Sequence, residues 1–565
     1  MKFIDFLILI IFLLFTLILG LYFSKRKKEN TNDFFLSKRN LTWWLAGTSM
    51  VAASFSSDTP LAVVEFVYKN GVYGNWYWWS FAIQGTMVTF LFSKFWRRAE
   101  ILTDVEFFEF RYSGKSASFL RAFKAFLGAV IANSIIMGWS ILAMATILKV
   151  SLSINPYFAT FLCILIALTY SMASGIIGIV AVDFFQFLIA MAGSIILAVF
   201  AVNKVGGLGS IVSHFSQNPE KISILPSFSD SFFITFLVYI GFQWWCASNA
   251  DSGGGILVQR MLASKSPQES FKAMLWFNVA HYALRTWPWI LCGLAIFILY
   301  PGLSNPKDGY PMLFMDILPA GLKGLMVASL MAAFMSTVDS SLSYSSAYLS
   351  HDLYRRFIRK NKDEKHYLMI SRISMVVVAV LAGIASLNMK SISGAWLFLT
   401  LLGSGAGTVK ILRWYWWRVN AWSEISAMAS SLTISLSLNV FTDIPYWQKL
   451  LINILGSAII WITVTYLTPP VEEEKLINFY KKVRPSKFGW KKISEKLPKD
   501  LENLSLKKEV LLWILSIIFI YSFTFSIGKF LLLNYIQGAL LVSISVFSFY
   551  LIYKFSLKNQ NNMVK

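Results

Sequence analysis

Residues 43–68 read WWLAGTSMVAASFSSDTPLAVVEFVY, and residues 232–258 read FFITFLVYIGFQWWCASNADSGGGILV. Each is an apolar run with the length of a membrane span, and each is interrupted by a polar stretch. The first breaks from Ser54 to Pro60 and the second from Ser248 to Gly255. Hydrocarbon leaves freed backbone N–H and C=O groups unsatisfied, so an interrupted span must line a protein-buried or watery site. Pro60 lacks a donor and clashes with the turn before it. Gly253, Gly254 and Gly255 together carry a large entropic cost in a helix. The two runs lie five spans apart and therefore point in opposite directions. Paired interruptions at equivalent places in two oppositely oriented five-helix halves are the mark of an inverted-repeat transporter.

The rest of the chain agrees with a bilayer as solvent. Of 565 residues, 56% are hydrophobic and only 14% charged, against about 25% charged in an ordinary soluble chain. This composition excludes a soluble enzyme, a disordered chain and a secreted disulfide scaffold. The net charge of +22 (51 Lys and Arg, 29 Asp and Glu) lies in short runs between apolar segments, as positive-inside topology requires, and not in a nucleic-acid-binding domain. Cys163, Cys246 and Cys292 have no metal-ligand spacing and read as small core residues.

About fifteen transmembrane helices are expected from apolar length. They lie near 3–23, 41–68, 75–96, 117–150, 154–175, 176–203, 229–262, 271–301, 312–351, 366–388, 391–417, 420–441, 446–468, 510–529 and 531–555. The basic run after the first helix places the N-terminus outside and the 24–40 loop inside; alternation then leaves the C-terminus in the cytoplasm. The predicted protein is an all-α, multi-pass protein of the cell (inner) membrane. An extra helix and loop (1–40) precede a first five-helix repeat (41–203) and an inverted second one (229–417). Two peripheral helices (418–468), a solvated polar linker (469–509) and a C-terminal helix pair with a tail (510–565) follow.

The span near 312–351 contains Ala333, Ser336 and Thr337 at i, i+3 and i+4, on one helix face. Two hydroxyls there, completed by carbonyls freed at Ala52 and Phe55, make a compact all-oxygen cage for a hard ion such as Na⁺. Asp183, inside an apolar run, is either an ion-coupling or gating carboxylate or a charge at the helix mouth. Asp339, on the hydroxyl-bearing span, is a second coupling or gating candidate. Arg285 and His281 lie well inside another span, set to pair with Asp58 or Asp251 or to meet an anionic solute. Substrate contacts are expected around the breaks, at Ser56, Asp58, Thr59, Trp244 and Ser248.

These residues resemble the sodium:solute symporter family, over roughly residues 1 to 470. The resemblance is carried by Asp33-Phe34-Phe35-Leu36 with Trp43-Trp44, by Val182-Asp183-Phe184-Phe185-Gln186, by Val258-Gln259-Arg260, and by Ala333 to Ser340 leading into His351-Asp352-Leu353-Tyr354. It implies a leucine-transporter-like inverted-repeat core. It also implies a Na⁺ held by the carbonyls of Ala52, Phe55 and Ala333 and the hydroxyls of Ser336 and Thr337, with Asp183 in coupling or gating. Thr59 stands where the family's sugar carriers place Gln, and Asp58 and Pro60 depart from their pattern, so the solute stays open.

The predicted activity is Na⁺-coupled symport of a small organic solute by alternating access, with no enzymatic chemistry. Its partners are the solute, Na⁺ and lipid, with no nucleic acid and no obligate protein. Proton coupling through Asp58 or Asp183 is the rival within transport, and a membrane nutrient sensor is the rival outside it. Against a sensor, the C-terminus adds no output domain; against a transferase, the four histidines are scattered.

Overall fold

The computed structural model describes residues 1–24, 31–247, 249–389, 391–498 and 505–557. Helix α1 (Phe3–Ser24) precedes the first broken span, α2 (Trp43–Ala53) and α3 (Asp58–Asn70), whose axes meet at 60°. Next come α4 (76–99), α5 (Gly114–Leu152) and α6 (Pro156–Lys204). The second broken span, α7 (Phe232–Cys246) and α8 (Gly255–Ala263), opens a second series. That series continues with α9 (Pro267–Leu299), α10 (Leu322–Ile358), α11 (Glu364–Asn388) and α12 (Ile392–Tyr415). Flanking these are α13 (Ala421–Phe441), α14 (Tyr446–Leu467), α15 (Glu473–Val483), α16 (Leu506–Leu531) and α17 (Tyr535–Ser556).

Both breaks have a physical cause in the residues present. Gly253 and Gly254 take φ of +72° and +119°, backbone that L side chains resist. Pro60 sits in the first turn of α3, where its missing N–H costs nothing and its ring keeps the chain before it out of a continuous helix. The entry to α2 and the exit of α8 are hydrogen-bonded neighbours: Leu41 N donates to Ala263 O at 3.0 Å and Lys265 N to Leu41 O at 2.9 Å. The start of one broken span thus lies beside the end of the other. The two run in opposite directions, as inversion requires.

Among the described residues, ten helices are long and apolar enough to cross a membrane, or eleven if the bent α2–α3 pair is one span. The expected count of about fifteen exceeds this at four places. The 76–99 span is interrupted by a turn at Ser80 and ends on Lys94, Arg97 and Arg98, 232–263 is broken, and α13 is rich in serine. The fourth is α6, expected as two spans but helical over 49 residues. Ser171 and Asp183, 12 residues apart in α6, would be separated by about 18 Å in a straight helix. They nevertheless bond to Asp339 and Ser336, less than one turn apart on α10. This length of α6 therefore lies along α10.

α10 is almost wholly buried and forms the axis of the bundle, with α6 packed along it; α1 and α17 are largely exposed apolar helices. The 469–509 segment departs from the expected solvated linker. In it α15 buries Leu476, Phe479, Tyr480 and Val483, and Trp490 follows them inside. Phe479 stacks on Trp490 at 5.5 Å, and the Arg111 guanidinium lies 4.8 Å from the Trp490 ring. A lysine-rich stretch that read as polar is amphipathic, with one face docked under α4 and α12.

Close helix crossings rely on small residues. A Cβ added at Gly407 would lie 2.2 Å from Cys246 O and 2.5 Å from Trp245 O, both backbone atoms at the end of α7. Gly407→Ala is therefore expected to destabilise the protein by about 1–3 kcal/mol, read as a lowered midpoint of thermal unfolding in detergent.

Candidate functional site

The hydroxyl-bearing face of α10 lies against the frayed end of α2. There Ser54 N reaches back to Met50 O (3.2 Å) and Val51 O (3.1 Å), and Phe55 N to Ala52 O (3.0 Å). Thr337 Oγ1 donates to Ala53 O at 3.1 Å, joining α10 to this end. Ala52, Phe55, Ala333, Ser336 and Thr337 are all buried. The structure thus brings the hydroxyl face and the freed carbonyl end together.

Asp183 reaches the same place from α6. Its Oδ1 accepts from Ser336 Oγ and its Oδ2 from Ser49 Oγ, both at 2.5 Å. With 1% of its surface exposed, it is no charge at a helix mouth. Arg260 on α8 stands 3.7 Å from Asp183 Oδ2 and donates to Ser340 Oγ (2.6 Å), Ser49 Oγ (3.2 Å) and Gln259 Oε1 (2.8 Å). Both broken spans, α6 and α10 thereby converge on one carboxylate. Carbonyl and hydroxyl oxygens beside a single carboxylate suit a hard monovalent cation better than a transition metal.

Asp339 lies just under one turn further along the same side of α10, also against α6. It accepts from Ser171 Oγ at 2.5 Å through Oδ1, and its buried Oδ2 has no partner among the described residues. Asp251, left open between Arg285 and other roles, is held elsewhere. Arg413 donates to it twice (2.7 and 2.9 Å), Trp414 Nε1 once (2.6 Å), and Arg413 also reaches Glu424 at 3.3 Å. This buried cluster ties the second break to α12.

Beside the first break is a cavity of about 440 Å³ lined by Ser56, Asp58, Thr59, Asn249, His281 and Arg285, among others. Three of the expected substrate contacts are therefore on its wall. Trp244 is not. Its indole donates to Ile240 O and its ring packs on Trp513 of α16, 5.5 Å away. Ser248 lies outside the described residues. The Phe55 ring is taken up by an edge contact with Trp289 at 4.9 Å. Sequence reasoning did not assign roles to Ser49 or Arg260. The signal for Arg260 was a charge flanked by apolar residues, which is functional by default; for a lone Ser there is none.

A family model described as "Sodium:solute symporter family" matches residues 34–433. The chain belongs to the sodium:solute symporter family. This symporter is 24% identical to the sodium/glucose cotransporter of Vibrio parahaemolyticus, with 84% of this chain and 92% of that protein covered. It is 24% identical to the sodium/sialic acid symporter of Proteus mirabilis, covering 83% and 95%. Its fold matches a substrate-bound, outward-open Na⁺-coupled sialic acid symporter with TM-score 0.70 at 21% identity, over 83% of this chain and 99% of that one. It also matches Mhp1, a nucleobase-cation-symport-1 family transporter, with TM-score 0.52 at 14% identity, over 81% and 99%. The symporter is a Na⁺-coupled solute transporter with a leucine-transporter-like inverted-repeat fold, and not an enzyme. Na⁺ is a co-substrate here, not a resident cofactor.

Proposed function

We propose that this symporter moves a small organic solute together with Na⁺ bound at Ala52, Phe55, Ala333, Ser336 and Thr337. The solute sits in the adjoining cavity against Ser56, Asp58 and Thr59. The observation that carries the reading is the contact of Thr337 Oγ1 with Ala53 O while neighbouring Ser336 bonds to Asp183. An ion in that junction would tie α2 to α10 and bias the swing of one helix group against the other. Asp183 couples the ion site to Arg260 on the second broken span, and Asp339 is a second coupling or gating group. Arg97, Arg356 and Arg413 meet Ser264 O, Glu109 and Asp251 at one end of the bundle. We assign that end to the cytoplasm, with the N-terminus of α1 outside and the protein in the cell (inner) membrane. An inward-negative potential then adds about 2.3 kcal/mol per Na⁺ per 100 mV.

The test is uptake of labelled sugars, sugar acids, amino acids and betaines into proteoliposomes under imposed Na⁺, K⁺ or proton gradients. Accumulation driven by Na⁺ alone is expected. Accumulation driven by protons without Na⁺ would transfer the coupling role to Asp58 or Asp183 as proton carrier.

A further inference from the structure

The cavity has a charged pole on each of two walls. At one, Arg285 (1% exposed) donates through Nη1 to Ser54 O at 2.9 Å and through Nε to His281 O at 3.1 Å. Its Nη2 lies 2.9 Å from His281 Nε2. A guanidinium only donates, so His281 Nε2 accepts, and the imidazole is neutral with its proton on Nδ1. That Nδ1 is buried and has no partner among the described residues. Three of the five guanidinium N–H groups are engaged, which leaves two further donors. This pole is built to receive an anion.

At the other pole is Asp58 (2% exposed), the first residue of α3. Its Oδ1 lies 3.3 Å from Ser140 Oγ, whose single proton is shared with Ile136 O at 3.3 Å. Ser56 Oγ and the backbone N–H of Asp58 itself also bond to the carboxylate, and these neutral donors bring it no counter-charge. No ion pair within 4.0 Å joins Asp58 to Arg285, whereas Asp183–Arg260 and Asp251–Arg413 pair directly. Ser54, which Arg285 holds, is four residues from Asp58, so the Cα atoms of these two residues are at most about 14 Å apart. Part of the remaining wall is aromatic. Tyr77 stacks on Trp396 at 6.2 Å, and Trp139 meets Trp396 edge-on at 6.2 Å. Such faces attract an organic cation.

A neutral polyol would leave the two buried charges to attract each other only across the cavity, with no direct ion pair for either, which is costly. A simple anion would satisfy Arg285 and oppose Asp58. We propose that the solute is a small zwitterion, its ammonium held by Asp58 against the aromatic wall and its carboxylate by Arg285 and His281. This rests on the reading of the cavity as the solute site and departs from the sugar and sialic acid named for the relatives.

The experiment is thermal unfolding of the purified full-length protein in detergent, in NaCl or in KCl. The probes are the twenty common amino acids, glycine betaine, D-glucose and N-acetylneuraminate. At least one zwitterion is expected to stabilise the protein in NaCl, with glucose and N-acetylneuraminate without effect. The N-acetyl and methyl-ester derivatives of an active amino acid are each expected to bind roughly 10- to 100-fold more weakly, as loss of a charged hydrogen-bond partner predicts. Asp58→Asn should lose affinity for the zwitterion to a similar extent while keeping the stabilisation by NaCl over KCl. Stabilisation by glucose, equal binding of a derivative lacking one charge, or silence of every zwitterion would each overturn the proposal. Because NaCl and KCl are compared without solute as well, a failure of the Na⁺ site is read separately.

Discussion

Replacing Ser336 and Thr337 together by Ala is expected to abolish Na⁺-stimulated uptake, with the Na⁺ requirement rising by at least roughly 10- to 100-fold. The two hydroxyls are the side-chain oxygens of the proposed cage, and both are buried. Ala is the best helix former, so α10 should keep its backbone. What is lost is the Thr337 bond to Ala53 O and the Ser336 bond to Asp183, the two contacts that bring α10 to the broken end of α2 and to α6. The measurement is initial uptake against Na⁺ concentration in proteoliposomes, with monodispersity on gel filtration as the control for folding. Unchanged Na⁺ dependence in the double variant would falsify the site assignment. The single variants separate the contributions: Thr337→Ala should weaken Na⁺ binding alone, whereas Ser336→Ala also loosens Asp183.

Asp183→Asn is expected to cost about 3–5 kcal/mol of stability, because it leaves the Arg260 guanidinium in the interior without its counter-charge. Arg260 is fully buried and 3.7 Å from Asp183 Oδ2, so water does not reach it to compensate. Asn keeps the size of Asp and still accepts one hydroxyl bond, which isolates the charge as the cause. The check is the denaturation midpoint in detergent alongside uptake. A matched pair, Asp183→Leu with Arg260→Met, should recover much of the stability, since apolar replacement of a buried ion pair is often neutral or better. Uptake should stay lost in that pair if the carboxylate serves coupling. Recovery of Na⁺-driven uptake in it would reduce Asp183 to a structural role, and full stability of Asp183→Asn would show that the ion pair carries little weight.

How far the site was legible follows from the range of each interaction. The hydroxyl face was readable because i, i+3 and i+4 positions share a helix face wherever the helix docks. The breaks were readable because glycine and proline act on their own backbone. The fate of Asp251 was not readable. Its partners Arg413 and Trp414 lie 162 and 163 residues away, and several buried cations competed on paper. Trp244 shows the opposite error: an aromatic next to a break was assigned to solute, and α16, some 270 residues further along, takes it as a packing partner. The 473–493 stretch looked solvated because its charges dominate the average, while its apolar face has a surface to dock on only after α4 and α12 have assembled.

By itself, then, the sequence determined the solvent, the helical class, the inverted pairing of two broken spans and the hydroxyl-bearing face of α10. These are properties of hydropathy, backbone preference and helical period, each set within about twenty residues. Only the tertiary structure decided which buried charges satisfy one another and which are left facing the cavity. Asp183 finds Arg260, Asp251 finds Arg413, and Asp58 and Arg285 face each other with no direct ion pair between them. In a low-dielectric interior a charge must find a partner, and that partner is set by how distant helices dock.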